Sequence, residues 1–108
     1  MELVNETNEL VTQRALFLFI DVRNPRLFAR RHIPGAVHLD FKTRFTLAAL
    51  AEVADRNQPI VIYSSGVRCA RAYRASVLAV DWGFRRVHFF RGGIVDWRDV
   101  QFPLESLR

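Results

Sequence analysis

Residues 60–69 read IVIYSSGVRC, and this stretch governs the interpretation of the whole chain. Its first four residues are uncharged and rich in β-branched side chains, which is typical of a strand buried on both faces of a sheet. Small residues follow, and a helical stripe of apolar residues then runs from Cys69 to about Asp81, with Gly83 placed to end the helix. A strand that passes through a short loop into a helix is the building unit of a parallel α/β sheet.

The same alternation of strand and helix continues on both sides of this stretch. Upstream, an apolar strand (residues 16–20) is followed by a short helix (25–30, with Asn24 as its N-cap), a short strand (36–39) and a second helix (43–55). Downstream, we predict a strand at 87–90 and a short helix at 94–100. The chain is therefore predicted to be an α/β domain spanning residues 1–108, with a parallel sheet covered by helices on both faces.

Composition excludes several classes of protein and site. Half of the 108 residues are hydrophobic and a quarter are charged, as in soluble globular domains rather than disordered ones. The one cysteine, Cys69, excludes an internal disulfide and a zinc site of paired thiolates, and we expect neither a metal nor a cofactor. The longest apolar run, residues 15–20, is too short to cross a membrane, and residues 1–13 lack the pattern of a secretory signal. We therefore expect a cytoplasmic protein.

Arginine dominates the basic residues. The net charge is +5, and the basic side chains cluster at residues 23–31 and 85–91. Such clusters form a basic face that attracts nucleic acid or an acidic protein in some proteins. Here acidic residues are interspersed and no nucleic-acid-binding motif is present, so we expect the charge to steer anionic substrates instead.

The loop after the strand at residues 60–63 has the features of an anion site. Ligands of parallel α/β sheets bind beyond the carboxyl ends of the strands, where the N-terminus of the next helix adds partial positive charge. Arg68 contributes a full charge and a planar set of donors. The segment Ser65, Gly66, Val67, Arg68 and Cys69 is thus predicted to hold an anion the size of sulfate or thiosulfate. The alternative is a plain connection whose small residues only let the helix pack on the sheet.

Five motifs in order suggest a family. They are Asp21-Val22-Arg23, His32-Ile33-Pro34-Gly35-Ala36, the strand leading into Gly66-Val67-Arg68, Gly92-Gly93, and the downstream Trp97 and Pro103. With this order and spacing, from about residue 16 to 105, the chain resembles rhodanese-like domains. The resemblance implies a five-stranded parallel sheet and sulfurtransferase chemistry, in which a loop cysteine takes sulfane sulfur from thiosulfate or another donor. The persulfide then passes this sulfur to a thiophilic acceptor. We expect Asp21, Arg23 and His32 to be structural residues near the site.

The sequence departs from the family pattern at the nucleophile. Anchored on the strand, the family's cysteine falls on Ser64; anchored on Gly66 and Arg68, it falls on Tyr63. Ser64 is preferred, because a tyrosine commonly precedes the family's nucleophile and because residues 64–69 keep the six-residue loop. A serine hydroxyl provides neither a thiolate nor a persulfide, so Ser64 is not expected to run the standard reaction.

Three hypotheses about this departure remain open. Ser64 is either a replacement made in an active enzyme or the mark of a natural non-catalytic module that binds an anion or a protein partner. In the third hypothesis Cys69 carries the sulfur, because the helix N-terminus and Arg68, Arg71 and Arg74 should lower the pKa of its thiol. Against this, Cys69 is equally well placed to be a small buried side chain between helix and sheet.

Two other nucleophilic chemistries are excluded by counting. A tyrosine-phosphatase loop needs an arginine six residues after the nucleophile, but Ala70 stands six residues after Ser64. A serine hydrolase needs glycine two residues before its nucleophile, and Ile62 occupies that position.

Overall fold

The fold is built on a five-stranded sheet in which every neighbouring pair of strands is parallel. The computed structural model describes residues 1–107. The strands are β1 (Glu2–Val4), β2 (Leu18–Asp21), β3 (Val37–His38), β4 (Ile60–Tyr63) and β5 (Val87–Phe90), in the order β1-β5-β4-β2-β3. The helices are α1 (Thr7–Thr12), α2 (Pro25–Arg30), α3 (Leu47–Val53), α4 (Arg71–Asp81) and α5 (Gly93–Asp99).

Strand β4 lies at the centre of the sheet, and its residues alternate between two apolar cores. Ile60 and Ile62 belong to the core covered by α3 and α4, whereas Val61 and Tyr63 belong to the core covered by α1 and α5. This alternation follows from the two-residue period of a strand. All four residues are fully buried, since helices cover both faces of the sheet. The predicted α/β fold is confirmed.

The N-terminal strand and helix were not apparent from the sequence. Strand β1 is only three residues long, and Glu2 and Leu3 are exposed, so no period-2 pattern marks it. It forms because its backbone pairs with β5 along the open edge of the sheet. Helix α1 then contributes Leu10 to the core cluster that also contains Trp97. The packed region thus includes residues upstream of 16, where the sequence placed the start of the core.

Four predicted elements are longer than the observed ones, including the strand predicted at 36–39, which spans only Val37–His38. The first strand begins at Leu18 rather than residue 16, because residues 14–16 form a 3₁₀ turn. The second helix begins at Leu47 rather than residue 43, because the Thr46 hydroxyl accepts the Ala49 N–H at 3.1 Å and caps the helix there. The N–H groups of residues 43–45 all donate to the Asp40 carbonyl in a tight turn.

The third predicted helix also begins later, and this shift matters for the site. Helix α4 starts at Arg71, with Ala70 as its N-cap. Cys69 therefore belongs to the loop and not to the first helical turn, and its N–H donates to the Gly66 carbonyl at 3.1 Å. Within residues 1–107, none of the helices has both the length and the apolar composition to cross a membrane.

Candidate functional site

The loop that joins β4 to α4, residues 64–70, is anchored on the N-terminus of α5. The Ser64 carbonyl accepts the Ile94 N–H, and the Ser65 carbonyl accepts the Val95 N–H, each at 3.1 Å. Gly93 permits this close approach, because its φ is +57° and a Cβ there would lie only 2.2 Å from the Ser64 carbonyl oxygen. Two segments that are distant in sequence thereby fix the shape of the loop.

Tyr63, the alternative position for the family's nucleophile, points into the core. Its side chain is fully buried, and its hydroxyl accepts the Ile33 N–H at 3.0 Å. Burial raises the pKa of Tyr63 well above its ordinary value, and the neighbouring Asp21 carboxylate raises it further. The phenol therefore stays protonated as a structural group beneath the loop. Ser64 is the first residue after the strand.

Ser64 and Cys69 meet at the base of the loop. The Ser64 hydroxyl donates a hydrogen bond to the Cys69 sulfur, with 2.9 Å between Oγ and Sγ. The Ser64 side chain is buried behind the thiol at 2% exposure, whereas Cys69 is half-buried and lines an open cleft of about 560 Å³. Of the two residues, Cys69 is therefore the one that lines the cleft.

The surroundings of Cys69 favour its thiolate. Partial burial raises the pKa of the thiol, but the Ser64 hydroxyl, the N–H groups of Arg71 and Ser65, and the charge of Arg71 outweigh this effect. The pKa of Cys69 is consequently below its ordinary value, in the direction that the sequence predicted. The charge that acts on the sulfur is that of Arg71, the first residue of α4.

Three backbone N–H groups of the loop have no partner among the described residues. The N–H groups of Gly66, Val67 and Arg68 have no acceptor among residues 1–107, while the N–H of Cys69 is used by Gly66. Arg68 is exposed and lines the cleft, as does Asp96 of α5, so both signs of charge border it. Sequence reasoning missed the cleft residues of α5, because nothing local shows which loop a helix N-terminus will contact. In residues 1–107 no three His, Cys, Asp or Glu side chains are grouped to hold a metal ion.

Asp21 and Arg23 form a buried ion pair at the end of β2. The Asp21 carboxylate accepts the Arg23 backbone N–H at 2.9 Å and its guanidinium at 2.9 Å. The guanidinium also donates to the Arg31 carbonyl, which ties the strand to the segment after α2. Arg23 is only 4% exposed, so it does not belong to the basic surface cluster predicted at residues 23–31, and that prediction is wrong for Arg23.

His32 and Trp97 have structural contacts. His32 is buried, its Nδ1 lies 2.8 Å from the Phe28 carbonyl oxygen, and its ring stacks on Phe28 at 3.9 Å. Trp97 is fully buried, and its indole N–H donates to the Pro103 carbonyl at 3.2 Å. His32 therefore holds the turn before β3 in place, and Trp97 holds the segment after α5.

Comparison with known families agrees with this architecture. A family model described as "Rhodanese-like domain" matches residues 3–99. The chain belongs to the rhodanese-like domain family. The match begins within β1, so the edge strand is part of the rhodanese-like unit.

Among its relatives, this rhodanese-like chain is 32% identical over 94 residues to thiosulfate sulfurtransferase GlpE of Pseudomonas syringae pv. syringae, covering 84% of the chain and 80% of that protein. GlpE of Pseudomonas fluorescens is 36% identical over 90 residues, covering 81% and 74%. Among solved structures, the Alr3790 protein from Anabaena sp. superposes with a TM-score of 0.84 at 20% identity, covering 95% of this chain and 92% of that one. The structural likeness supports the fold, and the sequence relatives support the sulfurtransferase family.

Proposed function

We propose that this chain transfers sulfane sulfur from a thiosulfate-type donor and carries it as a persulfide on Cys69. One observation carries the proposal: the Cys69 sulfur lies 2.9 Å from the hydroxyl of Ser64. Ser64 is the residue at which we place the family's nucleophile, so the Cys69 sulfur lies next to that position. Cys69 also lines the cleft, and the pKa of its thiol is lowered. The names of the GlpE relatives support thiosulfate as the donor class.

The proposed transfer has two balanced steps. The Cys69 thiolate attacks the outer sulfur of thiosulfate, forming a new S–S bond while the old one breaks and its electron pair leaves with sulfite. An acceptor such as cyanide then attacks the outer sulfur of the persulfide, forming thiocyanate and returning the electron pair to the Cys69 thiolate. Neither step needs an oxidant or a cofactor.

The surrounding donors have distinct roles in this scheme. The free N–H groups of Gly66, Val67 and Arg68, together with the Arg68 guanidinium, are placed to hold the donor anion. The Ser64 hydroxyl and the N–H groups of Ser65 and Arg71 face the sulfur itself and stabilise its anionic form. In this proposal Ser64 is a hydrogen-bond donor and not a nucleophile.

The test is the transfer of sulfur from thiosulfate to cyanide by the unmodified chain, Cys69→Ala and Ser64→Cys. We expect transfer by the unmodified chain, none by Cys69→Ala, and a mass increase of one sulfur atom on the peptide that contains Cys69 after treatment with thiosulfate. Because Cys69 is the one cysteine of the sequence, the modified site is unambiguous. Transfer that survives Cys69→Ala would contradict the proposal.

The presence of serine at position 64 favours a second candidate function, a non-catalytic domain that binds an anion or a protein partner through the same loop. This candidate predicts no transfer by the unmodified chain, by Cys69→Ala or by Ser64→Cys. Transfer gained in Ser64→Cys alone would instead indicate an active site that was replaced or lost at position 64. Calorimetric binding of thiosulfate that Arg68→Gln weakens, without turnover, would select it over the sulfur carrier.

A further inference from the structure

Two exposed valines flank the cleft in front of Cys69. Val67 of the loop is 60% exposed, and Val95 of α5 is 41% exposed. Both line the same cleft as the Cys69 thiol. Apolar surface that stays in contact with water costs free energy, and a ligand that covers it gains about 0.8 kcal/mol per buried methylene. An apolar group that binds beside the sulfur and covers these two side chains therefore gains binding free energy.

Val95 is anchored to the loop that carries Val67 and Cys69. The Val95 N–H donates to the Ser65 carbonyl at 3.1 Å, so the first turn of α5 is bonded directly to the loop. The Val95 side chain also packs closely against the loop, since a Cβ at Gly66 would be 3.4 Å from Val95 Cγ2. Because these segments are already ordered, ligand binding loses little free energy to ordering the site.

We propose that this cleft selects the sulfur acceptor, and that the preferred acceptor is a thiol with an uncharged, unbranched hydrocarbon chain next to its sulfur. The inference rests on the proposed function, because the occupant must reach the Cys69 persulfide. Cyanide has no chain and leaves both valines uncovered. Arg68 and Asp96 place opposite charges on the rim, so a charged substituent gains from one and is repelled by the other.

The transfer to such an acceptor is balanced in atoms and electrons. The acceptor thiolate attacks the outer sulfur of the Cys69 persulfide, and an S–S bond forms between them. The S–S bond to Cys69 breaks, and its electron pair stays on the Cys69 sulfur, which is again a thiolate. The hydrocarbon chain behind the attacking sulfur then lies between Val67 and Val95.

The test uses neutral, water-soluble acceptors that differ only in chain length, from 2-mercaptoethanol through 3-mercaptopropanol and 4-mercaptobutanol to 6-mercaptohexanol. We expect kcat/KM, compared at equal thiolate concentration, to rise about fourfold per methylene that the valines cover. The double variant Val67→Thr with Val95→Thr keeps the side-chain shape and adds hydroxyls, and it should flatten this dependence to below about twofold per methylene.

Val80→Thr is the matched control, because Val80 is a 39% exposed valine near the C-terminal end of α4, outside the cleft. It should keep the full dependence on chain length. An unmodified chain that transfers sulfur to cyanide but treats all four thiols alike would overturn the inference and leave the proposed function intact. Absence of transfer to cyanide as well would overturn the proposed function, and this inference with it.

Discussion

Gly93→Ala should destabilise the protein far more than Gly35→Ala, although both glycines have positive φ. The φ of Gly93 is +57° and that of Gly35 is +80°. A Cβ at Gly35 would meet nothing within 4 Å, whereas one at Gly93 would lie 2.2 Å from the carbonyl oxygen of Ser64. Gly35→Ala therefore measures the backbone cost alone, and Gly93→Ala adds a collision with the loop at the candidate site.

The magnitudes follow from this geometry. A left-handed alanine costs about 1–2 kcal/mol, and the stiffer unfolded chain offsets about 0.4–1 kcal/mol, so Gly35→Ala should lower the free energy of unfolding by about 1 kcal/mol. At Gly93 the Ser64 carbonyl must retreat by at least 0.8 Å, from 2.2 Å to the 3.0 Å that real Cβ contacts keep. That movement strains the hydrogen bonds from Ile94 and Val95 to the loop, each worth about 1 kcal/mol. The total loss for Gly93→Ala is expected to be about 3 kcal/mol.

The assay is urea denaturation of both variants and the unmodified chain, followed by far-UV circular dichroism. The alkylation rate of Cys69 provides a second measurement, because displacement of the Ser64 carbonyl also moves the hydroxyl that faces the thiol. Gly93→Ala should change this rate and Gly35→Ala should not. Equal losses of stability in the two variants would refute the conclusion that close approach of α5 shapes the loop.

Two further predictions concern groups near the loop. Ser64→Ala removes a donor that favours the Cys69 thiolate, so the pKa of the thiol should rise. The pH profile of iodoacetamide alkylation should then shift to higher pH, with a slower rate at neutral pH. An unshifted profile would show that the hydrogen bond does not act on the sulfur. Arg23→Met leaves the fully buried Asp21 carboxylate without its counter-charge, so the free energy of unfolding measured in urea should fall by about 3–5 kcal/mol. Asp21→Asn in the same chain should restore part of this loss. A loss below about 1 kcal/mol would contradict a buried ion pair.

Much of the fold could be predicted from local patterns. The apolar run at residues 60–63 predicted the central strand with its observed bounds, and Asn24-Pro25 predicted the start of α2, where the Asn24 side chain accepts the Leu27 N–H at 2.9 Å. These features are local, since strand burial and helix capping depend on residues within a few positions of each other. Strand β1 escaped prediction because its stability comes from pairing with β5, more than 80 residues away.

The sequence by itself determined the family and supplied the residues of the loop, including a cysteine five positions after Ser64. Only the tertiary structure decided what these residues do to each other. It brought the Ser64 hydroxyl to 2.9 Å from the Cys69 sulfur, and it placed Cys69, Val67 and Val95 of α5 along the same cleft. The physical reason is that the loop takes its shape from hydrogen bonds to a helix about 30 residues downstream, and no pattern along the chain encodes that contact.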